Sequence, residues 1–235
     1  MALARKVEAE WLDHLPAHDP RAIRSQRDLK LINVMMLQAG IMARVLRSNS
    51  AEKPRTILDF GAGDGTFMLG VARRLSSYWR DVDVILVDRQ NIISDATCRE
   101  FQTLYFRAEP VVADVFDFLE RMQGMVDIVV INLFLHHMPH ERLARLLALA
   151  ARATRLFVAC EPRRAAFPHL ASRSLWALGC NDVTRHDVVA SVRAGFKGKE
   201  LSALWPDHGA WNLDEHAARL FTHRFVARRT ARNAT

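Results

Sequence analysis

The part of the chain that most constrains its fold is residues 55–75, which read RTILDFGAGDGTFMLGVARRL. An apolar run typical of a buried strand is followed by three closely spaced glycines and then by an amphipathic helical pattern. Glycine lets the backbone turn sharply and approach a ligand closely, and the N-terminus of the next helix then faces that ligand. The stretch therefore predicts an α/β fold whose first strand–turn–helix unit binds a nucleotide-like ligand.

The spacing of the glycines argues against a dinucleotide as that ligand. A G-x-G-x-x-G loop would have its third glycine at position 66, where this chain has Thr66. The glycines follow G-x-G-x-G instead, at Gly61, Gly63 and Gly65. Asp59 and Asp64 also place carboxylates beside the loop, where they would repel a pyrophosphate. The loop is therefore better suited to a cationic ligand.

Residues 57–65, ILDFGAGDG, resemble the first motif of the class I S-adenosylmethionine-dependent methyltransferases. The methyl donor of that family carries an ammonium and a sulfonium but no phosphate, so carboxylates at the strand end favour its binding. The resemblance covers about residues 55–227 and implies that the cofactor is S-adenosyl-L-methionine. The alternative is a glycine-rich turn in an unrelated α/β protein.

Length and composition indicate one domain with added elements. The 235 residues, of which 50% are hydrophobic, can bury one large core but are too few for two full domains and a linker. The three cysteines are far apart and include no C-x-x-C pair, so neither a disulfide framework nor a thiolate metal site is indicated. A cytoplasmic protein without a transmembrane segment is therefore expected.

The formal net charge of +7 raises the question of a nucleic-acid partner. The 33 basic residues are spread along the chain, and the densest group, residues 224–232, lies near its C-terminal end. We interpret this group as a solvated tail and expect a small-molecule partner rather than nucleic acid. The sequence does not indicate an oligomeric state.

Two segments are predicted to lie outside the minimal fold. Residues 1–54 form a helical N-terminal cover, with one helix over residues 3–15 and a second from 21 to about 46. Residues 55–235 form the methyltransferase domain, which carries an insertion at about 163–187. In the family, N-terminal helices cover the active site and the segment after strand five shapes the acceptor pocket. Simple packing against the sheet is the alternative for both.

Carboxylates at the ends of the next two strands are candidate cofactor ligands. Asp88 ends a strand over residues 82–88. It follows the glycine turn by close to the interval of about 20 residues at which an acidic residue binds the ribose hydroxyls in nucleotide-binding folds. It could instead cap the following helix. Asp114 follows a short strand over residues 110–113, at a position where the resemblance implies contact with the adenine. Asp117 is the alternative residue for this contact. The full predicted cofactor set is Asp59, Gly61, Ala62, Gly63, Gly65, Asp88, Arg89, Asp114, Val115, Asn132 and Leu133.

The segment after the fourth predicted strand, residues 126–131, is expected to face both cofactor and acceptor, because ligands bind at the carboxyl ends of parallel strands. Amino-methylating members of the fold carry an Asn/Asp-Pro-Pro-aromatic signature there, whereas this chain has Asn132, Leu133 and Phe134. The following His136 and His137 resemble the Leu-His-His segment of methyltransferases that act on quinone precursors and other small natural products. Methylation of nucleobase or glutamine nitrogens is therefore not expected.

His136 and His137 are the candidate catalytic residues. A phenol has a pKa of about 10, and an imidazole near neutrality could accept its proton as the methyl group arrives. Either histidine could instead cap the next helix or bond to a neighbouring strand. The pair is a weak metal site because three or more ligands are needed and no carboxylate at a fixed spacing completes the set, so no metal is predicted.

The end of the chain is predicted to complete a seven-stranded, mostly parallel sheet with a terminal antiparallel hairpin. Residues 200–205 read as strand six and residues 221–227 as the final strand. The predicted reaction is transfer of a methyl group to an oxygen or carbon of a small aromatic or polyketide-like acceptor, largely by proximity and orientation. The alternatives are a nucleotide-dependent oxidoreductase and a non-catalytic or RNA-associated protein of the same fold.

Overall fold

The centre of the protein is a seven-stranded sheet, seen in a computed structural model that describes residues 4–16, 18–50, 52–173 and 179–230. Its strands are β1 Thr56–Phe60, β2 Val82–Asp88, β3 Phe106–Val112, β4 Val126–Asn132, β5 Thr154–Pro162, β6 Trp211–Ala218 and β7 Thr222–Arg229. They lie in the order β3-β2-β1-β4-β5-β7-β6. The first five are parallel, and β7 is antiparallel to both β5 and β6. The predicted sheet with its terminal hairpin is confirmed.

The strand order indicates where the ligand crevice lies. From β1 the chain extends through β2 and β3 on one side of the sheet, and β4 and β5 then lie on the other side. In open α/β sheets the ligand binds at the carboxyl ends of the strands, where the order reverses in this way. The glycine turn after β1 lies at that point.

Helices cover both faces of the sheet. They are α1 Pro20–Met35, α2 Gln38–Asn49, α3 Thr66–Leu75, α4 Asp95–Thr103, α5 Val115–Arg121, α6 His140–Ala153, α7 Ala166–Arg173, α8 Asp182–Ala194 and α9 Glu200–Leu204. One core contains buried side chains of α5, α6 and α9, and the other contains those of α2, α3 and α4. Within the described ranges, no helix is both long and apolar enough to span a bilayer.

The prediction of a strand at residues 200–205 is wrong, because this segment forms helix α9. Leu201 and Trp205 are both buried, and their spacing of four residues places them on one face of a helix. The carboxylate of Glu215 in β6 also accepts hydrogen bonds from the backbone N–H groups of Leu201 and Ser202, at 3.0 and 2.7 Å. The first N–H groups of a helix have no partner within it, and these two thereby gain one. The sixth strand lies further on, at β6.

The N-terminal cover is only partly helical. The predicted helix over residues 3–15 is wrong for the described residues, since residues 4–16, which we term the N-terminal strap, contain only a 3₁₀ turn at Leu12–His14. The predicted second helix is two helices, α1 and α2, because Leu37 has a left-handed φ of 56°. The strap lies against α8, where Asp187 accepts hydrogen bonds from the N–H groups of Trp11 and Leu12.

The predicted insertion at 163–187 corresponds to α7 and the beginning of α8. Within it, Trp176 lies outside the described residues. Asn181 caps α8 by accepting a hydrogen bond from the N–H of Thr184 at 2.8 Å. The insertion therefore supplies the helix on which the strap rests.

Candidate functional site

The turn after β1 is held by hydrogen bonds to the neighbouring strand. The N–H groups of Gly61 and Ala62 both donate to the carbonyl of Val87 in β2, at 3.0 and 3.2 Å. Asp88 accepts the Gly63 N–H on Oδ2 and the Gln90 N–H on Oδ1, each at 2.9 Å. Asp88 thus orders the glycine loop from the end of β2.

The three glycines have different surroundings although all have positive φ values. A Cβ added to Gly61 would lie 2.7 Å from the Phe134 ring, and one added to Gly65 would lie 3.2 Å from the Thr97 methyl group. A Cβ at Gly63, where φ is +57°, would meet no heavy atom of the described chain within 4 Å. Only Gly63 therefore borders open space that a ligand could fill, and the other two glycines make room for the protein's own side chains.

Asp59 is a buried carboxyl group with an unsatisfied oxygen. It is the penultimate residue of β1, its side chain is 1% exposed, and its Oδ2 atom has no hydrogen-bond partner in the described part of the chain. Burial raises the pKa of Asp59, and the nearby charge of Asp88 raises it further, to about 8. A cation placed beside Asp59 would relieve both effects.

The end of β4 provides a second buried oxygen without a partner. Asn132 Oδ1 is buried and has no hydrogen-bond partner among the described residues. Leu133 follows with a left-handed φ of 53°, and its N–H donates to the carbonyl of Cys160 in β5 at 2.9 Å. This conformation is strained for a branched side chain and turns the chain sharply at the sheet edge. Because β1 and β4 are adjacent, Asp59 and Asn132 belong to the same crevice.

The remaining predicted cofactor residues lie at the ends of β2 and β3. Asp114 caps α5, because its Oδ1 accepts a hydrogen bond from the Phe116 N–H at 2.8 Å. Val115 is buried behind it, whereas Arg89 is exposed. The Ala113 N–H donates to the carbonyl of Asp88 at 3.0 Å, so that the two strand ends are joined. The predicted set is therefore gathered along one edge of the sheet.

The segment after β4 is anchored by Glu161, a residue that the sequence reading did not select. Glu161 lies in β5 with 0% exposure, and its Oε1 accepts the N–H groups of Phe134 and Leu135, at 3.0 and 2.8 Å. Its Oε2 accepts the N–H of His136 at 3.3 Å and contacts His136 Nδ1 at 2.8 Å. One buried carboxylate thus fixes both the backbone and the ring of His136.

Glu10 of the strap lies on the other side of the two histidines. Its Oε1 atom is 3.7 Å from His136 Nε2 and 3.9 Å from His137 Nδ1, and the Ser191 hydroxyl donates a hydrogen bond to it. Burial would raise the pKa of Glu10, but the histidines and Ser191 outweigh that effect and lower it. No signal in the sequence links Glu10 to residues more than a hundred positions away.

The two histidines differ in exposure and bonding. The His136 side chain is 4% exposed and both of its ring nitrogens face carboxylates, whereas the His137 side chain is 35% exposed. Burial would lower the pKa of His136, but Glu10 and Glu161 outweigh it and raise it to about 9. The two carboxylates therefore make His136 hold its proton more tightly than a free imidazole, which disfavours it as a base.

A cleft of about 390 Å³ separates the strap from α8. Trp11 stacks on His186 with their ring centroids 4.0 Å apart, and Arg185 and Arg193 line the same cleft. His186 also contacts Asp187, the residue that accepts hydrogen bonds from the strap backbone. The insertion and the strap thus form one surface beside the histidines.

The comparisons with known proteins agree with this geometry. Residues 57–156 match the model of a family described as a methyltransferase domain. The match agrees with the predicted resemblance to the S-adenosylmethionine-dependent methyltransferases of class I. The matched range begins in β1 and ends in β5, so it contains the glycine turn and both histidines. No curated protein sequence matches the chain.

Solved structures share the fold at low sequence identity. An O-methyltransferase family protein from Burkholderia thailandensis is 18% identical with a TM-score of 0.60, and the alignment covers 91% of this chain and 61% of that one. The plantazolicin methyltransferase BpumL in complex with SAH is 12% identical with a TM-score of 0.60, covering 91% and 92%. The mitomycin 7-O-methyltransferase MmcR is 19% identical with a TM-score of 0.61, covering 93% and 60%. The chain thus spans less than two thirds of two of these three proteins.

Proposed function

We propose that this chain transfers the methyl group of S-adenosylmethionine to an oxygen, or alternatively a carbon, of a small aromatic acceptor. The observation that carries the proposal is the buried Asp59 carboxyl group near the open glycine loop, because one of its oxygens has no hydrogen-bond partner among the described residues and burial raises its pKa. A ligand with an ammonium group can donate to this oxygen and favours its ionisation, whereas a pyrophosphate offers no cation and would make that ionisation still more costly. The proposal therefore disfavours a nicotinamide-dependent oxidoreductase.

The residues at the sheet edge fit the cofactor. Asp59 and Asn132 offer buried acceptor oxygens to its ammonium, and the space at Gly63 leaves room for the rest of the amino-acid portion. Asp88 has one backbone N–H on each oxygen, and the remaining lone pairs can accept the ribose hydroxyls. Asp114 and Val115 are the candidates for contact with the adenine, through an acceptor oxygen and an apolar surface.

When bound, S-adenosylmethionine supplies a methyl group on a sulfonium that is open to in-line displacement. The protein's contribution is to hold the acceptor oxygen in line with that bond and to exclude water. Phe134 packs over Gly61, and the two histidines follow it after Leu135, so acceptor contacts are expected from this segment. Of the two histidines, His137 is the more exposed and is proposed to contact the acceptor, while His136 holds the segment in place.

The proposed choice of an oxygen acceptor has two supports. The segment after β4 lacks the amino-methylating signature, because Leu133 and Phe134 replace its prolines. The structural neighbours include proteins named as O-methyltransferases. The cleft between the strap and α8 provides aromatic and basic side chains, as a planar acceptor with a negative charge would require.

The test is transfer of a labelled methyl group from S-adenosylmethionine to a panel of phenols and other small aromatic compounds. We expect at least one phenol to be labelled, and we expect His137→Ala to lower its turnover at least tenfold with cofactor affinity within about twofold of wild type. His140→Ala, an exposed histidine at the start of α6, is the matched control and should retain full turnover. Labelling of amines but not phenols, or full turnover by the His137 variant, would contradict the proposal.

A further inference from the structure

Three side chains with metal-binding atoms converge beside the acceptor segment. Glu10, His136 and His137, which we term the histidine cluster, each offer one donor atom, and these atoms lie within 4.8 Å of one another. The carboxylate Oε1 of Glu10 is 3.7 Å from His136 Nε2 and 3.9 Å from His137 Nδ1. Two imidazoles and one carboxylate form a donor set that holds catalytic zinc in other proteins. The fold thus supplies the third ligand that the two histidines lack in the sequence.

The position of Glu10 is fixed by contacts on both sides of it in the strap. Arg5 donates hydrogen bonds to the carbonyls of Met138 and Ala194, at 2.9 and 2.8 Å. On the other side, the backbone N–H groups of Trp11 and Leu12 donate to Asp187 in α8. The carboxylate is therefore held against the histidines by interactions that do not involve them.

Glu161 provides the outer support that a metal-binding histidine needs. Histidine ligands commonly donate their second ring N–H to a carboxylate, which fixes the tautomer and directs the other nitrogen to the metal. Glu161 Oε2 lies 2.8 Å from His136 Nδ1, and the carboxylate is held in turn by three backbone N–H groups. This bond directs His136 Nε2 towards Glu10. The arrangement thus has both the ligands of a metal site and its outer shell.

We infer that Glu10, His136 and His137 bind one divalent transition-metal ion, for which Zn²⁺ is the best match. Imidazole nitrogens favour zinc over magnesium, which requires oxygen ligands. At Zn–N distances of about 2.0–2.1 Å, tetrahedral ligand atoms lie about 3.4 Å apart, so the three side chains must close by a few tenths of an ångström to about 1 Å.

A zinc ion with three protein ligands keeps a fourth position open for water or an acceptor oxygen. Since the cluster follows β4 at the edge where the cofactor binds, an acceptor hydroxyl bound there would be polarised and would lose its proton more readily. This role in catalysis rests on the proposed function. Metal binding itself does not, and it is measured without cofactor or acceptor.

The experiment is a zinc titration of the full chain after treatment with a chelator, followed by calorimetry and by the metal content after gel filtration. We expect one equivalent of Zn²⁺ per chain, with no response to Mg²⁺, and a visible spectrum of four- or five-coordinate cobalt when Co²⁺ replaces zinc. Glu10→Gln and His137→Ala should each weaken zinc binding at least 100-fold. Glu8→Gln is the matched control, because Glu8 is a strap carboxylate that pairs with Lys6 and Arg193 instead, and its zinc affinity should stay at the wild-type value.

Circular dichroism separates loss of the site from loss of folding in these variants. A wild-type protein that retains no zinc would overturn the inference and would leave the cluster as a buried ion pair that fastens the strap. Equal zinc affinity in the wild type and in a folded Glu10→Gln variant would also overturn it, since the bound ion would then lie elsewhere. Neither result would affect the labelling of phenols, which tests the proposed function separately.

Discussion

Two buried carboxylates at the same edge of the sheet, Asp59 and Glu161, have opposite surroundings. Glu161 in β5 accepts three backbone N–H groups and contacts the His136 ring. Asp59 in β1 has an oxygen without a partner among the described residues, and the charge that raises its pKa is that of another carboxylate, Asp88. The protein thus neutralises one buried acid by itself and leaves the other to be neutralised by a ligand. The difference separates the side of the crevice that we propose for the cofactor from the side that holds the segment after β4.

This contrast has an energetic cost on the Asp59 side. Because an unpaired buried carboxylate is expensive, Asp59 stays protonated up to a pKa of about 8 and destabilises the protein without its ligand. Such costs are common where a site is organised for binding rather than for stability. Replacing Glu161 and Asp59 by their neutral amides should therefore change the free energy of unfolding in opposite directions.

The largest expected effect is on the paired side. Glu161→Gln replaces an acceptor with an NH₂ donor, which must face N–H groups of His136 or of Phe134 and Leu135. We expect a loss of about 3–5 kcal/mol in the free energy of unfolding, measured by urea denaturation, because a buried charge pair is broken and donors are left without partners. Glu109→Gln, on an exposed position of β3, should change it by less than about 0.5 kcal/mol. A loss of similar size in the Glu161 and Glu109 variants would mean that Glu161 is no better paired than an exposed carboxylate.

The opposite change is expected on the unpaired side. Asp59→Asn removes a group whose pKa is raised in the folded state, and at pH 7 it should stabilise the ligand-free protein by about 4 kcal/mol. The sign follows because the unfolded chain ionises above pH 4 while folded Asp59 remains protonated up to about pH 8, so wild-type stability falls across this range. The advantage of the variant should therefore shrink as the pH is lowered from 8 towards 4.

The control for this prediction is Asp117→Asn, which changes an exposed carboxylate in α5 and should not affect stability. Denaturation curves at several pH values measure both variants. An Asp59 variant that is less stable than wild type at pH 7 would mean that the carboxylate is satisfied in the protein, contrary to the comparison drawn above.

The glycine loop offers a third test, at the level of binding. Gly63→Val places a side chain in the open space beside Asp59 and should lower cofactor affinity at least 100-fold in calorimetry. The left-handed φ at this position adds a strain of roughly 1–2 kcal/mol. Gly198→Val is matched to it, since Gly198 has a φ of +60° and equally open surroundings, but lies before α9. It should carry the same strain and bind the cofactor normally.

The sequence predicts the cofactor side better than the acceptor side for a physical reason. The β1 strand, the glycine turn and α3 are consecutive, so hydrophobic periodicity and glycine spacing define them locally, and β2 also has its predicted bounds. The surroundings of His136 depend on Glu10 and Glu161, which are distant in sequence and approach only through tertiary structure. Residues 200–205 were also mispredicted because of contacts that form only in the folded protein. Hydrogen bonds to Glu215 and the burial of Trp205 favour a helix there over the expected strand.

The sequence contains a signal for Glu161 but none for Glu10. It stands at the carboxyl end of an apolar strand next to β4, where polar residues usually face the ligand crevice. Glu10 lies in an irregular segment that was predicted to be a helix, and no period or spacing connects it to the histidines. The histidines were therefore recognised as candidates, while the groups that determine their chemistry were not.

The central claim is that Asp59 receives the positive charge of the cofactor, and calorimetry in buffers of different ionisation enthalpy tests it most directly. At pH 7 wild-type protein should bind S-adenosylmethionine at micromolar affinity and release close to one proton, because Asp59, with a pKa of about 8, ionises when the ammonium binds. Asp59→Asn should bind about tenfold more weakly and release no proton from this site, and NAD should bind negligibly to both. Equal affinity and equal proton release by the two proteins, or tight binding of NAD without a response to S-adenosylmethionine, would contradict the claim.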